Sequence, residues 1–199
     1  MCLLVESIKI DNGEICNLAL HNKRFNHARK EVFGAKIDLD LDWVIRLPAE
    51  YQEGIVKCRV VYSKQVQKVE FENYSYRAIQ SLKLVEKNDA DYAYKKVDRE
   101  WITELCRNKE DCDDILIIKD GFVTDISRAN IIFFDGKKWV TPTTYLLNGT
   151  KRQLLLEEEK ISEEEIKQSD ISKYKKARAI NAFLDFENGD DIAIEDIIA

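Results

Sequence analysis

The chain holds only two prolines, seven glycines, two histidines and one methionine among its 199 residues. So little proline and glycine excludes a collagen-like or low-complexity chain, and two histidines leave little scope for an imidazole metal site. His21 and His27 are six residues apart, which does not place them on one helix face at ligand spacing, and no HExxH run surrounds them. Both read as structural or surface residues, and no metal is expected. The five cysteines are an odd set without a CxxC pair, so neither a disulfide framework nor a zinc ribbon is expected, and a reducing cytoplasm fits them. No window approaches ~18 consecutive apolar residues and no basic leader precedes the short apolar run near Met1, so neither a membrane span nor a targeting signal is expected. The net charge of −6, with acids and bases interspersed, offers no basic face to nucleic acid or to an anionic membrane.

What is present is an ordinary globular balance, 45% hydrophobic and 34% charged, in a chain long enough for a sizeable core. Residues 3–10 read as a strand, Asp11-Asn12-Gly13 as a turn and residues 14–17 as a second strand, together a hairpin. Leu18, Phe25, Ala28 and Val32 recur at helical spacing, and Gly34 supplies the stop. After Pro48, residues 55–63, 65–72 and 78–85 read as strands, giving a first half that is α+β with an antiparallel tendency. The polar stretch 87–91 reads as a linker between a domain over 1–86 and another over 92–199.

In the second half, residues 98–107 suit a helix, and 115–118 and 131–134 suit buried strands near the Asp120-Gly121 and Asp135-Gly136 turns. Residues 139–142 read as an edge segment, 150–158 as a helix after Gly149, 177–183 as a strand and 192–198 as a weaker terminal element. The acidic runs at 157–159 and 163–165 read as solvated faces and turns.

The residues with mechanistic promise are Arg24, Lys95, Asp125 and the turn Asn148-Gly149-Thr150. Each has a bland alternative: a surface ion pair for Arg24, a solvated lysine beside Lys96, a capping carboxylate for Asp125. The turn has more physical content, because backbone N–H groups and the helix dipole at a helix start favour a phosphate.

Their order resembles the class IV aminotransferase and 4-amino-4-deoxychorismate lyase family, the fold-type IV enzymes that use pyridoxal 5′-phosphate (PLP). Tyr94-Lys95-Lys96-Val97-Asp98-Arg99 resembles the family's Schiff-base lysine motif. The segment from Gly121 through Val123-Thr124-Asp125 and Ser127 to Asn130 resembles G-x-(V/I)-T-E-x-S-x-x-N. Thr141-Pro142 and Leu147-Asn148-Gly149-Thr150-Lys151-Arg152 resemble the TP…LxGxxR segment that closes over the cofactor phosphate, and Ile180-Asn181-Ala182 the late strand lining the same site. Glu6-Ser7-Ile8 resembles the F-E-T-(I/V) strand and His21-Asn22-Lys23-Arg24-Phe25 the H-x-x-R-(L/F) helix.

The resemblance implies a two-domain α+β fold like that of D-amino acid aminotransferase with a shortened N-terminal domain, PLP as cofactor and a homodimer. It implies that Lys95 carries PLP and shuttles protons, and that Asp125 holds the pyridine nitrogen protonated. Arg24 and the backbone around Gly149, Thr150 and Lys151 take the phosphate, while Asn130 and Asn181 shape the site. Asp125 stands where the family usually has Glu, one methylene longer. Ser7 is a possible pocket hydroxyl, and Arg59 and Lys64 are possible cationic contacts. The lysine motif and the Asn181-Ala182 pair lie nearer the lyase branch, which releases p-aminobenzoate and pyruvate, than D-amino acid or branched-chain transaminases. A PLP-binding relative with reduced catalysis is the remaining alternative.

Overall fold

The computed structural model describes residues 2–184, 186–187 and 189–199. The chain divides into two compact units, one comprising the residues up to Tyr76 with Tyr94–Asp98, the other Arg77–Ala93 with Arg99–Ala199. This departs from a division at 86–92, and the pairing of the segments explains why. The stretch 82–86 hydrogen-bonds into the second sheet, while the backbone around Lys95 adds to the first.

The first unit is a four-stranded antiparallel sheet ordered β2-β1-β3-β4, built from β1 (Leu4–Asp11), β2 (Glu14–Ile15), β3 (Ile55–Tyr62) and β4 (Val66–Asn73). The hairpin is as expected, because Asn12 and Gly13 both adopt positive φ, 47° and 85°, the handedness that matches strand twist. Helix α1 (Leu18–Phe33) covers one face, and Gly34 ends it at φ 62° with its own N–H and that of Ala35 bonded to the carbonyls of Lys30 and Arg29. Its buried residues are Leu20, His21, Phe25, Ala28 and Arg29; Val32, expected on this face, is 37% exposed. Phe25 meets the Tyr62 ring edge-on at 4.6 Å within the core of Leu4, Ile8, Ile10, Val56, Cys58 and Val60. Truncating such a ring costs about 3–5 kcal/mol. Short helix α2 (Leu41–Val44) adds the fully buried Leu41.

Arg29 is 3% exposed and forms a rigid link inside this unit. It donates to the Lys64 carbonyl at 3.1 and 2.9 Å, to the Ile37 carbonyl at 3.0 Å and to Asn26 Oδ1 at 2.8 Å. Lys64 thus contributes a backbone acceptor here, and Arg59 pairs with Glu70 at 2.9 Å.

The second unit contains β5 (Leu82–Glu86), α3 (Glu100–Leu105), β6 (Asp114–Lys119), β7 (Phe122–Ile126), β8 (Asn130–Phe134), β9 (Trp139–Pro142), α4 (Thr150–Glu157), β10 (Ile161–Glu164), β11 (Lys176–Ile180), β12 (Ile192–Ala193) and β13 (Ile197–Ile198). The main order is β10-β9-β8-β7-β6-β5-β13, with β11 pairing to both β8 and β12. β6 is buried along nearly its whole length, which explains its unbroken Ile-Leu-Ile-Ile run. Asp120 and Gly121, at φ 51° and 81°, turn it into β7.

Five sequence expectations are corrected. Residues 78–81 precede the strand rather than belonging to it. β9 is no edge, because β10 pairs with it in parallel, and this puts Glu163 and Glu164 inside a strand rather than a turn. β11 ends at Ile180, where Asn181 Oδ1 accepts the N–H groups of Phe183 and Leu184 at 2.8 and 3.1 Å and turns the chain. The 192–198 element resolves into two short strands joined by a 3-10 turn. Among the described residues no helix is long and apolar enough to cross a membrane.

Candidate active site

In the first unit, the backbone of Lys95 lies alongside β1: the Val5 N–H donates to the Lys95 carbonyl at 2.9 Å and the Val97 N–H to the Leu3 carbonyl at 2.9 Å, with Leu4 opposite Lys96. Tyr94 packs with the core beneath α1, as Leu4 does, and the Lys95 charge acts on His21 of that helix. Lys96 stands opposite Leu4, which leaves Lys95 opposite Val5.

The centre of that unit's polar interior is Glu6, fully buried on β1 among Leu4, Ile8 and Ile10. Arg24 Nε and Nη2 grip its two oxygens at 2.9 and 2.5 Å, and His21 Nδ1 donates at 2.7 Å. The helix supplies both donors because positions 21 and 24, one turn apart, face the sheet together. Burial pushes the Glu6 carboxyl upward, but Arg24 and His21 outweigh it and hold it at about 2. Burial also pushes His21 below its ordinary range, with Arg24 and Lys95 acting in the same direction against Glu6. Facing a carboxylate, His21 Nδ1 is the side that carries a proton. The sequence marks Glu6 and His21 only as motif letters; their contact joins a strand to a helix across 15 residues, which no local spacing reveals.

In the second unit, Asp125 sits on β7 in register with Asn130 on β8 across the tight Ser127–Ala129 turn. Asn130 Nδ2 donates to Asp125 Oδ1 at 2.7 Å and to the Leu147 carbonyl at 2.8 Å. Asp125 Oδ2 accepts the N–H groups of both Leu146 and Leu147 at 2.9 Å. Burial raises the Asp125 carboxyl to about 6, even though the backbone bonds, Asn130 and the Arg152 charge pull it down. It remains mostly ionised at neutral pH.

The loop held by Asp125 leads to Gly149, the residue before α4. A Cβ on Gly149 would fall 2.1 Å from Asn130 Oδ1, so only glycine lets the loop press onto Asn130. With no side chain of its own, Gly149 cannot cap the first turn of α4, which Thr150 and Lys151 open. Arg152, 2% exposed, closes the loop from the other end: its Nη2 donates to the Pro142 carbonyl at 3.1 Å and to Glu163 at 2.5 Å, and its guanidinium stacks on Tyr145 at 4.1 Å. Its buried Nε has no acceptor among the described residues. Asn181 donates to the Arg128 carbonyl at 3.3 Å, which braces the turn between Asp125 and Asn130.

The structure therefore gathers the expected residues into two sets, Arg24 with Glu6, and Asp125 with Asn130 and the loop to Gly149, Thr150 and Lys151. Lys95 lies beside β1 opposite Val5, one residue along from Glu6 in the pairing.

The family described as amino-transferase class IV matches residues 3–186. An uncharacterized protein of Haemophilus influenzae Rd is 38% identical over 182 residues, covering 90% of this chain and 96% of that one. A crystal structure described as a candidate 4-amino-4-deoxychorismate lyase from Haemophilus somnus 129PT is similar at 34% identity and TM-score 0.83, covering 92% of this chain and 96% of that one. A PLP-bound Mycobacterium tuberculosis protein described as a hypothetical aminotransferase shares the fold at TM-score 0.74 and 16% identity, covering 96% of this chain and 80% of that one. The family match over nearly the whole chain agrees with the lysine motif beside β1, the Glu6–Arg24 pair and the Asp125–Asn130 pair: this chain belongs to the class IV aminotransferase family.

Proposed function

We propose that the chain is a PLP-dependent enzyme for a small amino substrate, acting as a 4-amino-4-deoxychorismate lyase that forms p-aminobenzoate and pyruvate. The observation that carries the cofactor reading is the Asp125 carboxylate. It is buried and ionised at neutral pH, Oδ2 is occupied by two N–H groups, and Oδ1 accepts one bond from Asn130 and keeps a lone pair. Such an oxygen suits a protonated ring nitrogen. The first turn of α4, which Gly149 has no side chain to cap, and the buried Arg152 Nε suit an anionic group nearby.

On this reading Lys95 Nζ holds the cofactor covalently and, once displaced by substrate, moves the proton between carbons. Arg24, its guanidinium oriented by Glu6, and the backbone N–H groups of Thr150 and Lys151 take the phosphate. Bound there, PLP supplies an electron-accepting pyridinium for the pair left when a substrate C–H bond breaks. The likeness to the Haemophilus somnus protein favours the lyase over transamination. Purified protein supplied with 4-amino-4-deoxychorismate is expected to release p-aminobenzoate and pyruvate in equal amounts. Exchange between amino acids and keto acids without p-aminobenzoate assigns it instead as a transaminase. We further propose a homodimer, which sedimentation velocity tests.

A further inference from the structure

Asp125 does more in this fold than offer an oxygen to a ring. One carboxylate oxygen gathers the N–H groups of Leu146 and Leu147, three and two residues before Gly149, which precedes α4. The other is bonded by Asn130, whose same amide nitrogen reaches the Leu147 carbonyl, while its oxygen occupies the space that a Cβ on Gly149 would take. Asp125, Asn130, Leu146 and Leu147 thus form one closed hydrogen-bonded ring, with Gly149 packed against Asn130. The N–H groups at the start of α4 can move little without breaking it.

We propose that Asp125 is a positioning residue for phosphate: through Leu146, Leu147 and Asn130 it sets the backbone donors at Thr150 and Lys151, in addition to any contact with the ring nitrogen. This rests on the PLP reading given above. It also gives a physical sense to the shorter side chain, because aspartate on β7 reaches these two N–H groups at 2.9 Å with its one methylene. Charge-assisted bonds of this kind are roughly twice as strong as neutral ones, so the anchor depends on the carboxylate and not merely on its shape.

The experiment compares the affinity of the apo protein for PLP and for pyridoxal, which lacks the phosphate, in wild type, Asp125→Asn and Asn130→Ser. The dissociation constant for pyridoxal divided by that for PLP isolates the phosphate contribution. If Asp125 positions the phosphate donors, Asp125→Asn lowers that ratio by about tenfold, and Asn130→Ser, which leaves the carboxylate in place, lowers it in the same direction. Amide exchange in the unliganded variants should quicken at Thr150 and Lys151 as well as at Leu146 and Leu147. Equal weakening of PLP and pyridoxal, with exchange at Thr150 and Lys151 unchanged, overturns the proposal and leaves Asp125 a ring partner alone. A wild type that binds neither compound overturns the cofactor reading itself, and this inference with it.

Discussion

Replacing Glu6 with glutamine keeps the shape of the side chain but removes the charge that Arg24 and His21 surround. The Glu6 carboxyl is held at about 2, against an ordinary 4.5, although burial alone would raise it. Each pKa unit corresponds to about 1.4 kcal/mol, so the ionised form gains about 3 kcal/mol from folding. The group is fully buried, so little of this is screened by solvent. Because the folded pKa lies below the unfolded one, the stabilisation is complete above about 4.5 and vanishes as pH falls toward 2. Urea unfolding followed by far-ultraviolet circular dichroism should therefore show Glu6→Gln less stable by about 3 kcal/mol at neutral pH, with the gap closing in acid. A variant within about 0.5 kcal/mol of wild type at neutral pH, with an unchanged acid slope, would refute the argument that this ion pair organises α1 on its sheet.

Asp125 should titrate in the opposite sense. Its folded pKa of about 6 lies above the ordinary 3.8, so the ionised carboxylate costs stability above about 6 and the cost fades as pH falls through 6 toward 3.8. The stability difference between wild type and Asp125→Asn should therefore move by about 1 kcal/mol in favour of wild type between about pH 7 and pH 5, as measured by urea unfolding; no movement contradicts the shift. Gly149→Ala places a Cβ 2.1 Å from Asn130 Oδ1 and should cost about 1–3 kcal/mol by thermal or urea unfolding. Adding Asn130→Ala removes the clash and should make the second glycine substitution nearly free; a full cost in both backgrounds would rule out the packing argument.

What the sequence makes legible is local. The Asn12-Gly13 hairpin, the span of α1 and its Gly34 stop, and the β6–β7 turn at Asp120-Gly121 each follow from residues within a few positions of one another. The motif positions Arg24, Lys95, Asp125 and Gly149 are legible through family likeness. Their chemistry in the fold is not, because it is made by long-range pairing. Glu6 meets His21 and Arg24 only when α1 lies on the sheet, and Asp125 reaches Leu146 and Leu147 across 21 and 22 residues. For the same reason the segment 94–98 reads as part of the second half in sequence, yet pairs with β1. Val32 fits the apolar stripe of α1 by spacing, but Arg29 occupies the buried position by virtue of four hydrogen bonds that spacing does not predict. β9 has no signal of its parallel neighbour β10, because the two strands are joined through α4.

The central claim is that Lys95, and not its neighbour Lys96, carries PLP. Protein incubated with PLP, reduced with borohydride and digested should yield one pyridoxyl-bearing peptide, modified at Lys95, with the visible absorbance of the unreduced protein lost in Lys95→Ala. Absence of PLP uptake by wild type, or a label that persists on Lys96 in Lys95→Ala with the absorbance intact, would contradict it.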